Sequence, residues 1–228
     1  MQISFLTYNI RGGRGTEGRV SLAGTAAAMG ASGACVAGLQ EVEALHSRSR
    51  FMFQAKKLGK MLGMHYEYGP NVRRCFMAML GNAVLSRLPL LKTSNYRLPS
   101  AGEKRGLLRA EISAGSRRIV FYTTHLGLHR AERLQQAKAI TRMIASETQP
   151  VVLTGDFNAP PDSPEIKVVR ATLASADPTG KMPTYTSTSP EHVIDYIFFS
   201  AHWKLVQSKT IYSPASDHLP LLAVLWLD

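Results

Sequence analysis

The sequence predicts an α/β fold in which two β-sheets pack face to face with helices on the outside. Three observations point to it. Short β-branched or aromatic runs bounded by Gly, Pro or Ser are too numerous for one open sheet, and amphipathic helical stretches lie between them. The 228 residues, 45% of them hydrophobic, suffice for one large domain over 1–228 with a substantial core. Many of the runs are apolar on both faces, as strands buried between layers are.

The first strand is expected from Ile3 to Tyr8 and the second from Cys35 to Leu39, followed by Asn82 to Leu85, Leu107 to Ile112, Ile119 to Thr124 and Val151 to Thr154. The chain closes on strands from Val193 to Phe199, Trp203 to Ile211 and Leu219 to Leu227. Between them, Phe51, Ala55, Leu58 and Leu62 recur at helical spacing with Arg50, Lys56, Lys57 and Lys60 off the stripe. Leu134, Ala137, Ile140 and Ile144 repeat the pattern. Ile166, Val169 and Leu173 form a third stripe, opened by Ser163 as N-cap, Pro164 in the first turn and Glu165 after it. These stripes are core faces. Gly12-Gly13-Arg14-Gly15 and the stretch from Ser94 to Lys104 read as mobile loops.

Charge and composition narrow the partners. Lys and Arg number 27 against 16 acids, a formal +11 that attracts anionic molecules: nucleic acid, phospholipid surfaces or phosphorylated small molecules. No run of about 18 apolar residues would span a membrane, and Met1 to Leu6 has the form of a strand rather than a signal peptide. A cytoplasmic protein is therefore expected. Two cysteines, Cys35 and Cys75, do not make a disulfide framework and are expected as free thiols.

The chemistry lies in short polar clusters that end the apolar runs: Thr7-Tyr8-Asn9, Gln40-Glu41, Thr124-His125-Leu126, Gly155-Asp156-Phe157-Asn158, Ile194-Asp195-Tyr196 and Ser216-Asp217-His218. Almost all follow the carboxyl end of a strand, so the sheets are expected to carry them to one rim. Glu41 is led straight out of a buried strand, where an unpaired charge is strongly unfavourable. It needs Arg, Lys, or a Mg²⁺ held by one or two carboxylates and several waters. In Gly155-Asp156-Phe157-Asn158 the glycine permits a tight exit, Asp156 and Asn158 face the rim, and Phe157 points the other way into the core. Asp195 is a carboxylate in an otherwise apolar run and must be paired. Pairing with His218 would fix the imidazole tautomer and raise its basicity. For Asn9 a strand-closing turn, and for His125 a cap on the helix near Arg130, are the plainer readings.

Taken in order, these motifs resemble the endonuclease/exonuclease/phosphatase superfamily, the DNase I-like group that also includes exonuclease III, sphingomyelinases and inositol polyphosphate 5-phosphatases. The resemblance runs from residue 7 to residue 220, and it rests on the order and spacing of the motifs together. It implies a four-layer α/β sandwich of two mostly antiparallel sheets flanked by helices, and Mg²⁺- or Mn²⁺-dependent cleavage of a phosphate ester. It implies Glu41 as the principal metal ligand with Asn9 and Asp217 near it. Asp156 and Asn158 would orient or deprotonate the attacking water, His218 paired with Asp195 would act as base or bind the phosphate, and His125 would contact the phosphoryl oxygens. Gly81-Asn82-Ala83-Val84-Leu85-Ser86-Arg87 is similar to a run in members that cut phosphodiesters or phospholipids, which implies a substrate contact for Asn82. Arg11 and Arg105, with Arg109 and Arg130, are candidate cations for the charge that develops on the phosphoryl group.

Arg105-Gly106-Leu107-Leu108 and Thr124-His125-Leu126-Gly127-Leu128 look more like small bacterial members of unassigned substrate than like abasic-site endonucleases. Thr184-Tyr185-Thr186-Ser187 stands where the latter carry a Trp-rich segment. Small residues from Ala34 to Gly38, bulkier in relatives, imply loose packing before Glu41.

The expected function is divalent-metal-dependent hydrolysis of a phosphate ester by a monomeric phosphodiesterase or nuclease that uses metal-activated water. Its substrate would be nucleic acid, a phospholipid head group or a soluble phosphoester. A phosphomonoesterase and a phospholipid-head-group phosphodiesterase are the alternatives within that class. The rival from another class is a non-catalytic module holding nucleic acid or anionic lipid on its basic face, for which salt-dependent DNA binding without cleavage is the discriminator. Aromatic residues, at 8%, do not interleave with a basic stripe, which weighs against base stacking. Arg73 to Met77, with Met79 and Leu80, is the loop that could touch a membrane.

Overall fold

The computed structural model describes residues 1–45, 51–74 and 77–227. Its strands are β1 (Gln2–Asn9), β2 (Val36–Glu43), β3 (His65–Arg74), β4 (Met77–Ser86), β5 (Leu90–Arg97), β6 (Gly106–Ala114), β7 (Arg117–His125), β8 (Val151–Asp156), β9 (Ala174–Ser175), β10 (Asp195–Phe199), β11 (Trp203–Thr210) and β12 (Leu221–Leu227). The helices are α1 (Leu22–Ser32), α2 (Gln54–Leu62), α3 (Arg130–Ile144) and α4 (Pro164–Arg170). Among the described residues the strands form two six-stranded sheets, ordered β11-β12-β1-β2-β4-β3 and β5-β6-β7-β8-β10-β9. Pairing is antiparallel except for β1 with β2 and β7 with β8. Each parallel pair is joined through a helix, α1 or α3, because parallel neighbours need a crossover.

Apolar clusters separate the layers. Between the sheets, Ile3, Val36, Leu108, Val152 and Ile197 surround Phe5, which stacks on Phe121 at 5.9 Å and meets Trp203 edge-on at 5.3 Å. The other face of the first sheet turns Leu6, Tyr8, Ala37 and Leu39 toward Ala26, Met29, Ala55 and Leu58 of α1 and α2. Tyr122, Leu153, Tyr196 and Phe198 of the second sheet meet Ala137, Ile140, Ile166 and Val169 of α3 and α4 in the same way. The result is the four-layer, mostly antiparallel sandwich.

Strand alternation then builds the functional end. Side chains on the inner face run Ile3, Phe5, Thr7, Asn9 along β1, Phe121, Thr123, His125 along β7, and Val152, Thr154, Asp156 along β8. Toward one rim the space between the sheets therefore changes from apolar to hydroxyl to carboxamide, imidazole and carboxylate. Gln40 Nε2 donates to Thr7 Oγ1 at 3.2 Å, to the Gly38 carbonyl at 3.2 Å and, across the sheets, to Thr123 Oγ1 at 2.9 Å. Gly38 faces Thr123 and Thr154 so closely that a Cβ would collide with both hydroxyls. The small residues before Glu41 thus let the sheets approach, and the expected loose packing is not found. Gly38→Ala is expected to lower stability by about 2 kcal/mol through overpacking. A lower urea midpoint with an unchanged m-value would register it.

Other expectations need correction. β3, β5 and the two-residue β9 are strands beyond those expected: all three lie at sheet edges, and β5 is half exposed, so none carries a long buried apolar pattern. Ser94 to Arg97 belongs to β5 rather than to a mobile loop. The small residues of α1 carry no apolar stripe, yet Ser21 Oγ accepts from Gly24 N at 3.2 Å to cap its start, and Gly33 at φ +64° ends it. Arg11–Gly13 is a 3-10 turn with Gly12 and Gly13 buried, and the Gly12 carbonyl accepts from Gln54 Nε2 at 2.7 Å. Phe51 precedes α2 and is 61% exposed, while Arg50 lies outside the described residues. Ser163 occupies the N-cap of α4 without a capping bond from its hydroxyl. Arg73 and Arg74 pair with Ala78 and Met77 in a β3–β4 hairpin. Cys75 and Phe76 lie outside the described residues. Cys35 is a free thiol. No helix among the described residues is long and apolar enough to cross a membrane.

Candidate active site

Each polar side chain reaches the rim from a different strand or its flank. Asn9, His125 and Asp156 are the last residues of β1, β7 and β8, whereas Asp195 opens β10 and His218 stands just before β12. Because β10 and β12 run antiparallel to β8 and β1, their amino ends lie at the same rim; carboxyl-end delivery holds only for the first three. Glu41 lies inside β2. There the pairing with β4 slips between Leu39 and Val42, and Glu41 takes φ +53°. Gln40 keeps the inner face, Val42 returns to the helix side, and the extra residue turns Glu41 to the rim. Arg11 at φ +48° and Asn158 at φ +49° are held in the left-handed region as well.

Asn9 ties the central carboxylates together. Its Nδ2 donates to Glu41 Oε1 and to Asp156 Oδ2, each at 3.0 Å, and its Oδ1 accepts from Arg11 N at 3.0 Å. Ser216 Oγ donates to the Asn9 carbonyl at 2.7 Å and fixes its position. The other Asp156 oxygen accepts from Asn158 N at 2.9 Å. Asn158 Nδ2 donates to the Leu126 carbonyl at 3.0 Å and lies 3.0 Å from His125 Nε2, itself 3.4 Å from Asp156 Oδ2. His218 places Nδ1 2.8 Å from Asp195 Oδ2 and Nε2 3.8 Å from Asp156 Oδ2. Asp217 pairs with Arg11, Oδ2 to Nε at 3.2 Å.

The two imidazoles facing Asp156 differ in charge. Burial opposes the charged form of His218, but Asp195, then Asp156 and Asp217, outweigh it and raise the group from 6.5 to about 10. Burial lowers His125 to about 4, with the Arg105 charge adding to the shift and Asp156 opposing it. His218 is therefore an imidazolium and His125 a neutral ring at neutral pH. Burial pushes the Glu41 carboxyl up; the Asn9 hydrogen bond pulls it back, and the charges of Asp156 and Asp217 raise it further. Mutual repulsion of this kind is what a divalent cation relieves. The carboxylates of Glu41, Asp156 and Asp217 offer hard oxygens, which suit Mg²⁺ or Mn²⁺ rather than a soft metal, whereas Asn9 presents its amide nitrogen to Glu41 and its oxygen to Arg11 N. Ligand atoms of Asp156, Asp195 and His218 also lie within 4.8 Å of one another, although the His218 to Asp195 contact already engages two of them.

Asn82 and Arg105 line one hollow with Glu41 and His125. Asn82 Nδ2 is tied to the Gly106 carbonyl at 3.0 Å, and Arg105 Nη1 meets Glu103 Oε1 at 2.9 Å. Arg109 is not part of this group: Glu147, just after α3, holds it at 2.7 Å. Arg130 opens α3 and is exposed. Tyr185 is a neighbour of the site that sequence reasoning did not single out. Its ring lies 4.9 Å from that of His218, and its backbone bridges both His218 and His192. Only its position ahead of Asp195 could have drawn attention to it.

A sequence profile of the Endonuclease/Exonuclease/phosphatase family matches residues 6–218. No curated protein matches the chain. Among solved structures, an endonuclease/exonuclease/phosphatase from Beutenbergia cavernae DSM 12333 is similar, with a TM-score of 0.84 and 22% identity over 99% of this chain and 72% of that one. A mannosyl-6-phosphatase from Bacteroides thetaiotaomicron VPI-5482 has a TM-score of 0.82 and 17% identity, over 99% of this chain and 100% of that one. The human Nocturnin catalytic domain with bound sulfate has a TM-score of 0.77 and 20% identity, over 100% and 94%. At these identities the structural likeness is one of fold, while the profile match covers nearly the whole chain. The chain belongs to the endonuclease/exonuclease/phosphatase family of phosphoester hydrolases.

Proposed function

We propose that this protein is a divalent-metal-dependent phosphodiesterase. The observation that carries the reading is the convergence at one rim of Glu41 and Asp156, bridged by the Asn9 amide at 3.0 Å to each, with the His218–Asp195 pair beside them at 2.8 Å. Glu41 and Asp217, with Asn9 once its amide is turned to present Oδ1, would hold Mg²⁺ or Mn²⁺, which lowers the pKa of water and withdraws charge from a phosphoryl oxygen. Placement at Glu41 leaves the His218 to Asp195 contact intact.

The protein groups divide the remaining work. His218 already carries its proton at neutral pH, so it donates from Nε2 to a phosphoryl oxygen while Nδ1 is held by Asp195. The proton of the attacking water goes to Asp156, whose two oxygens are aimed by the Asn9 amide and the Asn158 backbone. The new bond forms between water oxygen and phosphorus, and the ester P–O bond opposite it breaks; its oxygen keeps the bonding pair, leaves as the alkoxide or aryloxide and takes its proton from solvent. Neutral His125 and Asn158 contact the phosphoryl oxygens, and Arg11, Arg105 and Asn82 hold the substrate. Similarity of the run from Gly81 to Arg87 to members that cut diesters supports a diester over a monoester.

Bis(p-nitrophenyl) phosphate tests this. Turnover is expected with Mg²⁺ or Mn²⁺, falling to background in EDTA and returning with added metal. Glu41→Gln is expected to raise the metal concentration giving half-maximal rate by about 100-fold. Undiminished hydrolysis after exhaustive chelation would contradict the proposal.

A further inference from the structure

The hollow beside the carboxylate cluster is lined by Glu41, His125, Asn82, Lys104 and Arg105, with Glu103 at its edge. Arg105 is its best-buried cation. The side chain is 9% exposed, and its Nε is buried without a hydrogen-bond partner. A guanidinium buried to this degree with one donor unused is unfavourable unless an anion lies against its remaining nitrogens. Its backbone is pinned on both sides: Arg105 N donates to Ser100 Oγ at 3.1 Å, and its carbonyl accepts from Leu98 N at 3.0 Å. The fork therefore points where the fold puts it.

Among the described residues, the carboxylate paired with that fork is Glu103, 2.9 Å from Nη1 and 46% exposed. Glu132, which lines the outer side of Arg105, is held instead by Gln136 Nε2 at 2.9 Å. Glu41 and Glu103 thus balance Lys104 and Arg105 around the hollow. The hollow, about 10 Å³, takes little more than a water, so a phosphoester sits at its mouth; a phosphodiester brings one negative charge there, whereas a phosphomonoester brings close to two at neutral pH. With Glu103 present the second charge meets a carboxylate at the entrance and a guanidinium already engaged.

We propose that Glu103 is a specificity-determining residue: by occupying the Arg105 fork at the edge of the hollow, it admits singly charged phosphodiesters and disfavours doubly charged phosphomonoesters. This deepens the phosphodiesterase reading and rests on it. Only the exposed Glu103 competes with the substrate for the Arg105 fork.

Isothermal titration calorimetry of the full chain, with and without Mg²⁺, tests the proposal using inorganic phosphate at mildly alkaline pH and dimethyl phosphate as the singly charged control. Glu103→Gln is expected to bind inorganic phosphate about 10-fold more tightly than the wild type, with little change for dimethyl phosphate. The gain is expected to vanish when Arg105→Gln is added. With metal, kcat/KM for p-nitrophenyl phosphate relative to bis(p-nitrophenyl) phosphate should rise by a similar factor. Equal phosphate affinity in wild type and E103Q, or a gain that survives the loss of Arg105, overturns the assignment. Calorimetry needs no turnover, so tighter phosphate binding by E103Q without hydrolysis of either ester counts against the hydrolase reading and supports the role of Glu103.

Discussion

Asp156→Asn is expected to lower kcat on bis(p-nitrophenyl) phosphate by about 10³-fold while the fold is retained. The carboxylate is 1% exposed, and each oxygen is already fixed by an amide donor, Asn9 Nδ2 on one and Asn158 N on the other. An asparagine keeps that shape but cannot take a proton from water. It also turns an amide group toward the Asn9 donor or the Asn158 N–H, so one of the two bonds is lost. Removing the Asp156 charge takes away part of the repulsion that raises the Glu41 carboxyl, which moves back toward its ordinary range. The variant should therefore stay folded, by circular dichroism and thermal unfolding, and still bind Mn²⁺. Wild-type kcat in folded D156N would remove Asp156 from the proton transfer.

Asp195→Asn carries the second large effect, a loss in kcat on the order of 10²- to 10⁴-fold, because the neutral side chain no longer holds His218 as an oriented cation. Asp195 is the largest source of the charge that lifts His218 from 6.5 to about 10 against burial. A folded-state value above the ordinary one means that the native protein keeps a proton the unfolded chain releases. The stabilisation is complete below pH 6.5, declines as pH rises, and is lost through about pH 10. The wild-type melting temperature should fall across that window, and the fall should be shallower in D195N. The alkaline limb of the pH–rate profile should move to lower pH in the same variant. An unchanged limb together with an unchanged melting slope would show that Asp195 does not control His218.

Much of the functional end was legible because it is written locally. Period-two alternation along Ile3 to Asn9 and Val151 to Asp156 places each terminal polar residue on the same face as the inner core residues before it. A carboxylate inside Val193 to Phe199 had to find a partner, and the geometry gives it His218. Long-range pairing was not legible. The turn of Glu41 to the rim depends on a slip against β4, which no residue near Glu41 announces. Arg109 looked available at the rim until Glu147, 38 positions later, is brought beside it by the end of α3. Strand direction is likewise a property of partners: Asp195 and His218 arrive from amino ends because β10 and β12 oppose β8 and β1. The edge strands β3 and β5 lack a buried apolar pattern because one side of each meets solvent. α1 is recognisable from Ser21 and Gly33 at its ends rather than from a stripe, since small side chains suffice where it lies against the sheet.

Anomalous scattering from crystals grown with Mn²⁺ tests the central claim most directly. The expected map has a manganese peak about 2.1 Å from a Glu41 carboxylate oxygen, with Asn9 and Asp217 turned toward it and the His218 to Asp195 contact undisturbed. A peak lodged between Asp195 and His218, or no peak near Glu41 at saturating Mn²⁺, would contradict it.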